Sequence, residues 1–234
     1  MDKILNPESF HDFYWEEFKD DFREIESLPR IHITLEWIKK LQPKVVLDIG
    51  CGPAHLAKLI KRDLPKIKVD GLDISSVALK YAKRYLDRYW QLNIDNIDIP
   101  VPNEIYDAVV CLEFIEHVYD VQHVLREIRR VLKKSGKALI SVPNLAYWRY
   151  RLQLLMGQVP HPEVTDERHL HVFNFSTLKD RLFRAGLKVE KCWGYGRRLS
   201  ILARNYPKLF SSILFIEASC ERSMLKEKKF STGI

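Results

Sequence analysis

The apolar run Lys44-Val-Val-Leu-Asp-Ile49 passes directly into Gly50-Cys-Gly-Pro-Ala54, and this junction limits the possible folds more than any other feature of the chain. A strand with no polar alternation is covered on both faces, which calls for a parallel sheet under helices. Two glycines allow a turn closed to most side chains, and Pro53 suits the first turn of a helix. The same strand-turn-helix grammar then repeats. A strand is predicted at about Ile67–Leu72, followed by a helix from Ser75 in which Ala78, Tyr81, Ala82, Tyr85 and Leu86 recur at helical spacing. A third strand is expected to end near Asp95, beside the polar, proline-broken segment Asn93–Pro102, and a fourth covers Tyr106–Leu112. A helix from about Asp120 carries Val121, Val124, Leu125, Ile128, Val131 and Leu132 on one stripe, with Gly136 placed to stop it. Ala138–Val142, Leu187–Trp193 and Ile213–Ala218 read as further strands, and Ser176–Ala185 as a helix ended by Gly186. The expectation is an α/β protein: a doubly wound, mostly parallel sheet with helices on both faces.

At 234 residues the chain has the length of one domain, and its 46% apolar and 29% charged content excludes disordered, collagen-like and disulfide-scaffold classes. Cys51, Cys111, Cys192 and Cys220 form no CxxC pair, so reduced thiols are expected rather than a zinc ribbon. No apolar run reaches the roughly 18 residues of a membrane span, and the first residues lack a signal-peptide pattern. A cytoplasmic protein is therefore expected. The net charge of +7 is unevenly spread: residues 1–27 hold nine acids and three bases, so the remainder carries +13. The acidic arm mixes aromatics and acids from Phe10 to Phe22 at helical spacing, and a second helix is predicted at about Ile31–Leu41. The chain thus divides into a helical arm (1–42) that could serve as a lid, a core (43–220) with an insertion at about 143–174, and a polar tail (221–234).

Chemistry concentrates where strands end. Asp73 closes the second strand, where a carboxylate can accept both hydroxyls of a ribose, and Asp95 could accept from an adenine amino group. These features, with Gly71-Leu-Asp-Ile-Ser75, Ile99-Pro-Val-Pro-Asn-Glu-Ile-Tyr-Asp107, Cys111-Leu-Glu-Phe-Ile-Glu-His-Val118 and Val142-Pro-Asn144, resemble the class I S-adenosylmethionine-dependent methyltransferases, in particular the small-molecule O-methyltransferase group. The resemblance runs from about Val45 to Ala218 and implies a Rossmann-like fold with a seven-stranded sheet and S-adenosyl-L-methionine as cofactor. It further implies that Asp48, Gly50 and Gly52 shape the methionine pocket, Asp73 with Ile74 holds the ribose, Asp95 with Asn96 holds adenine, and Cys111 lies beside the methionine. Ala54 stands where the family often has a third glycine. A nicotinamide dehydrogenase would need glycine at His55.

Methyl transfer from a sulfonium requires alignment and dryness, and a general base only for a protonated nucleophile. Glu116 and His117, past the fourth strand, are the candidate catalytic pair, with His117 as base. Glu113, Glu116 and His117 would share a face if their turn is helical, and with His169 or His171 they could ligate a divalent metal, an arrangement similar to that of small-RNA 2′-O-methyltransferases and polyprenyl-catechol O-methyltransferases. Tyr147-Trp-Arg-Tyr-Arg151 and the acid-free stretch Lys191–Lys208, with Arg197, Arg198 and Arg204, fit a solvated face, nucleic acid phosphates or anionic lipid headgroups. Tyr14, Trp15 and Phe18 fit a lid or simple helix packing. The function expected is O-methylation of a small-molecule or lipid-linked acceptor; the alternatives are a metal-dependent RNA 2′-O-methyltransferase and a non-catalytic binding module.

Overall fold

The computed structural model describes residues 6–17, 28–160, 168–195 and 200–221. Phe18, Phe22, Pro162, Arg197, Arg198 and the tail beyond Glu221 lie outside them. In chain order the elements are α1 Pro7–Glu17, α2 Pro29–Leu41, β1 Val45–Ile49, α3 His55–Asp63, β2 Lys68–Asp73, α4 Ser76–Ala82, β3 Arg88–Gln91, β4 Tyr106–Leu112, α5 Val121–Val131, β5 Leu132–Pro143, α6 Trp148–Leu155, α7 Phe175–Arg184, β6 Leu187–Tyr195, α8 Ser200–Asn205, α9 Pro207–Phe210 and β7 Ile213–Cys220.

The seven strands form one sheet in the order β3-β2-β1-β4-β5-β7-β6. Pairs from β3 through β5 are parallel, and β7 runs antiparallel to both β5 and β6. Successive side chains of a strand face opposite ways, so the sheet has two cores. Leu47, Ile49, Val109, Cys111, Ile140 and Val142 meet Val121, Leu125 and Ile128 of α5 and Leu178 and Leu182 of α7. Val46, Val110, Leu139 and Phe215 instead meet Leu35 and Ile38 of α2 and Leu56, Leu59 and Ile60 of α3. Chain order reverses between β1 and β4, and a crevice opens at their carboxyl ends.

Several local signals act as read. The Ser75 hydroxyl accepts from the Ala78 amide to cap α4, and Asp120 accepts from His123 to cap α5. Three expectations are corrected. The third strand ends at Gln91 rather than near Asp95, because Leu92–Asp95 leave the sheet edge to form part of a cavity wall. The helix after the first strand opens at His55, since Ala54 before it takes a left-handed conformation (φ 62°, ψ 42°). Gly136 does not end α5: Leu132 turns into extended backbone there and begins β5. Gly136 lies within that strand, where a Cβ would come within 3.0 Å of Leu132 and the Tyr106 carbonyl, so its small size serves close packing.

The candidate active site

Gly50 and Gly52 occupy left-handed backbone (φ 71° and 51°), as does Ala54, which explains why glycine would also serve at that third position. The Gly50 and Cys51 amides donate to the Leu72 carbonyl, drawing the turn across the end of β2. Asp73 completes the fastening: its two carboxylate oxygens accept from the Gly52 amide at 2.8 Å and the Ser75 amide at 2.9 Å. A carboxylate offers about four acceptor positions, so capacity remains on each oxygen. A side chain at Gly50 would overlap the Phe114 ring, and one at Gly52 would lie 2.9 Å from Trp15.

These residues border a cavity of about 340 Å³ at the carboxyl edge of the sheet. Its walls include Asp48, Gly50, Gly52, Asp73, Ile74, Asp95 and His117 from the expected set. Cys111 does not reach it, being fully buried in the core; Asn96 is exposed outside the wall, and Glu116 is buried behind it. Asp95 accepts from the Asp120 amide at 2.9 Å, which ties the cavity wall to the start of α5.

Helix α1 roofs the cavity. Pro7, His11, Tyr14 and Trp15 of α1 line it, and Asp12 anchors the helix by accepting from the Ser75 hydroxyl, the Ser76 hydroxyl and the Val77 amide. Arg168 stacks over the Tyr14 ring at 4.4 Å and joins the roof to the loop before α7. Sequence reasoning missed Arg30. It sits at the start of α2 and lines the cavity, and its side chain makes no hydrogen bond or ion pair with the described residues. A guanidinium lining a cavity suits an anionic ligand group, but neither motif nor spacing marks this arginine in the sequence.

Burial dominates the electrostatics of Asp48 and Asp73. It pushes the Asp48 carboxyl up to about 7, with the negative charge of Asp73 adding to the effect. Asp73 is raised by the same burial, opposed by its amide hydrogen bonds. Asp48 thus binds a proton in the folded chain that an unfolded carboxyl has already lost. The unliganded protein should lose stability as pH rises from about 4 to about 7. Thermal melts across that range should show the decline, and Asp48→Asn should flatten it; a wild-type curve as flat as the variant's would contradict the shift.

The segment Glu113–His117 is not helical, and Glu113 is itself left-handed (φ 49°). The expected three-residue face is therefore absent: Glu113 turns to Ser141, accepting from its hydroxyl at 3.0 Å. His171 also turns away, its Nε2 donating to the Tyr119 carbonyl at 3.2 Å. What the fold does assemble is Glu116, His117 and His169, with one side-chain N or O atom from each lying within 4.8 Å of the others. The Glu116 carbonyl accepts from the Leu170 and His171 amides, which draws residue 169 in from far along the chain. Because a carbonyl can only accept, the 3.1 Å contact of His117 Nδ1 with the Arg168 carbonyl makes Nδ1 the protonated nitrogen and Nε2 the basic one.

The chain is similar to known proteins. Residues 22–191 match a family described as "Methyltransferase domain". A demethylmenaquinone methyltransferase of Thermotoga maritima is 34% identical over 106 residues, covering 45% of this chain and 46% of that protein. A ubiquinone biosynthesis O-methyltransferase of Acinetobacter baylyi is 29% identical over 193 residues, covering 77% of this chain and 79% of that protein. For most of these curated relatives the chain spans about half of their length. Among solved structures, a methyltransferase from Archaeoglobus fulgidus superposes with a TM-score of 0.63 at 19% identity, over 89% of this chain and 99% of that one. The magnesium protoporphyrin IX methyltransferase of Synechocystis PCC 6803, with bound SAH, gives 0.63 at 14% identity over 90% and 98%.

Proposed function

Because the chain belongs to the methyltransferase-domain family and has the class I S-adenosylmethionine-dependent fold, we propose that it transfers a methyl group from S-adenosylmethionine to an oxygen of a small-molecule or lipid-linked acceptor. The observation that carries the reading is one cavity lined both by the glycine turn and Asp73, which suit a nucleoside, and by His117, a base. The cofactor supplies a methyl group already activated by its sulfonium. The remaining tasks fall to the protein: holding the two partners in line, excluding water, and taking up the acceptor's proton.

In this reading Asp73 accepts from the ribose, and the bare faces of Gly50 and Gly52 allow the backbone close to the ligand. Asp48 faces the ammonium and Arg30 the carboxylate of the methionine part. His117 Nε2 takes the acceptor proton while the Arg168 carbonyl holds the ring through Nδ1. Phe114, Trp15 and Tyr14 supply flat apolar walls that suit an aromatic hydroxyl compound.

The decisive measurement supplies methyl-labelled S-adenosylmethionine to the purified chain with a cell extract and identifies the labelled products. A labelled ether on a small or lipid-linked molecule, reduced about tenfold or more by Arg30→Ala through a higher KM for the methyl donor, is the expected result. Label found only in RNA, or no protein-dependent label in any extract, would overturn the assignment.

A further inference from the structure

Helix α1 links two parts of the site that are far apart in the sequence, the turn after β2 and the loop before α7. Its 11 residues include no buried side chain, so apolar burial holds it only weakly, and a helix this short is marginal in water by itself. A few side-chain contacts set its place instead. Glu8 accepts from the Gln91 side chain at the end of β3, and Asp12 accepts from Ser75, Ser76 and Val77 at the start of α4. Burial lowers the His11 pKa, and the charges of Asp73 and Arg168 both act on its ring, so the helix lies against both parts of the site at once.

The contact with the second part is the stack of Tyr14 and Arg168, the guanidinium carbon lying 4.4 Å from the ring centroid. Arg168 is also the residue whose carbonyl meets His117 Nδ1 at 3.1 Å. The backbone just after it is tied down, because the Glu116 carbonyl accepts from the Leu170 and His171 amides. The His169 ring packs against that of His117, with centroids 4.8 Å apart. Two restraints thus meet at the Arg168 carbonyl: the backbone bonds that follow it and the stacked side chain of its own residue. A neutral imidazole can carry its proton on either nitrogen, and the partners of the two nitrogens set the choice. Moving that carbonyl by about 0.5 Å would take the contact beyond hydrogen-bonding distance and release the choice.

We infer that Tyr14 is a positioning residue for His117. Its ring holds the Arg168 side chain, the held side chain fixes the Arg168 carbonyl, and the carbonyl keeps the His117 proton on Nδ1, leaving Nε2 unprotonated. This rests on the reading of His117 as the general base, and it makes the orientation of that base depend on how α1 is seated over the cavity. The contact with Arg168 uses the face of the ring, so phenylalanine would serve at residue 14 where an aliphatic side chain would not.

The test reads the imidazole directly in the full chain. With isotopically labelled histidine, proton–nitrogen correlation spectra at about pH 8.5, above the ordinary histidine pKa, separate the neutral tautomers of the 8 histidines. The signals missing from His117→Gln identify residue 117. In the wild type His117 should carry its proton on Nδ1, and Tyr14→Leu should give a mixture of tautomers. Tyr14→Phe should keep the wild-type pattern. Arg168→Gln, which retains the carbonyl but removes the cation, should reproduce Tyr14→Leu. Both side chains are half-buried, so both variants are expected to fold, and thermal melts check this. In steady-state assays Tyr14→Leu should lower kcat about tenfold, within the worth of a desolvated cation–π contact, with the KM for S-adenosylmethionine changed less than about threefold. A wild-type proton on Nε2, an unchanged tautomer in either folded variant, or a loss expressed only in that KM would overturn the inference. Tautomers that shift as expected in a chain that methylates no acceptor would support the role of Tyr14 and overturn that of His117 as base.

Discussion

Replacing Asp73 with alanine is expected to remove most of the thermal stabilisation that S-adenosylhomocysteine gives the wild-type protein. Ligand at a hundred times its Kd stabilises by about 2.7 kcal/mol, a rise of several degrees for a chain of this size. The side chain has two tasks, and one variant cannot separate them. Alanine would also strand the Gly52 and Ser75 amides, both bonded to Asp73 below 3.0 Å, costing about 1–3 kcal/mol for each buried donor left unpaired. Asp73→Asn retains one carbonyl oxygen and so recovers part of the unliganded stability, yet its amide cannot accept from two ribose hydroxyls. Differential scanning fluorimetry on both variants, with and without ligand, distinguishes the roles. A wild-type shift in Asp73→Ala would remove this carboxylate from the binding site.

The second large effect is expected at His117. His117→Ala should lower turnover by about 10²–10⁴-fold, the usual range for losing a positioned base, while the ligand-induced melting shift stays near that of the wild type. His117→Gln should not restore activity, since a glutamine side chain offers no basic nitrogen. A chelator arm decides how the neighbouring Glu116 and His169 take part. If His117 acts as the base, activity survives chelation. Collapse on chelation with recovery on adding a divalent cation would instead make these three side chains a metal centre. Unchanged turnover in His117→Ala would exclude both roles.

How far the molecule was legible in its sequence follows the range of the forces involved. The runs at Lys44–Ile49 and Tyr106–Leu112 carry their own burial pattern, and the strands form within a residue of where that pattern puts them. The glycine turn and the serine cap at Ser75 depend on φ angles and hydrogen bonds spanning a few residues, so local chemistry was enough. Gly136 misled because glycine serves both as a helix stop and as a close-packing residue, and only its neighbours Leu132 and Tyr106 show which applies. The turn at Glu113 misled in a similar way: the spacing suits one helical face, but Ser141 of the neighbouring strand captures the glutamate.

The sequence alone therefore determined the parallel sheet, the turn that opens its carboxyl edge, and the acid that closes the second strand, because each is encoded within a few residues of itself. Tertiary structure decided which distant groups join that edge: Arg30 and the aromatic arm over the cavity, and His169 rather than His171 beside His117. Such partners are selected by how far a folded backbone carries them, and no periodicity or spacing records that distance.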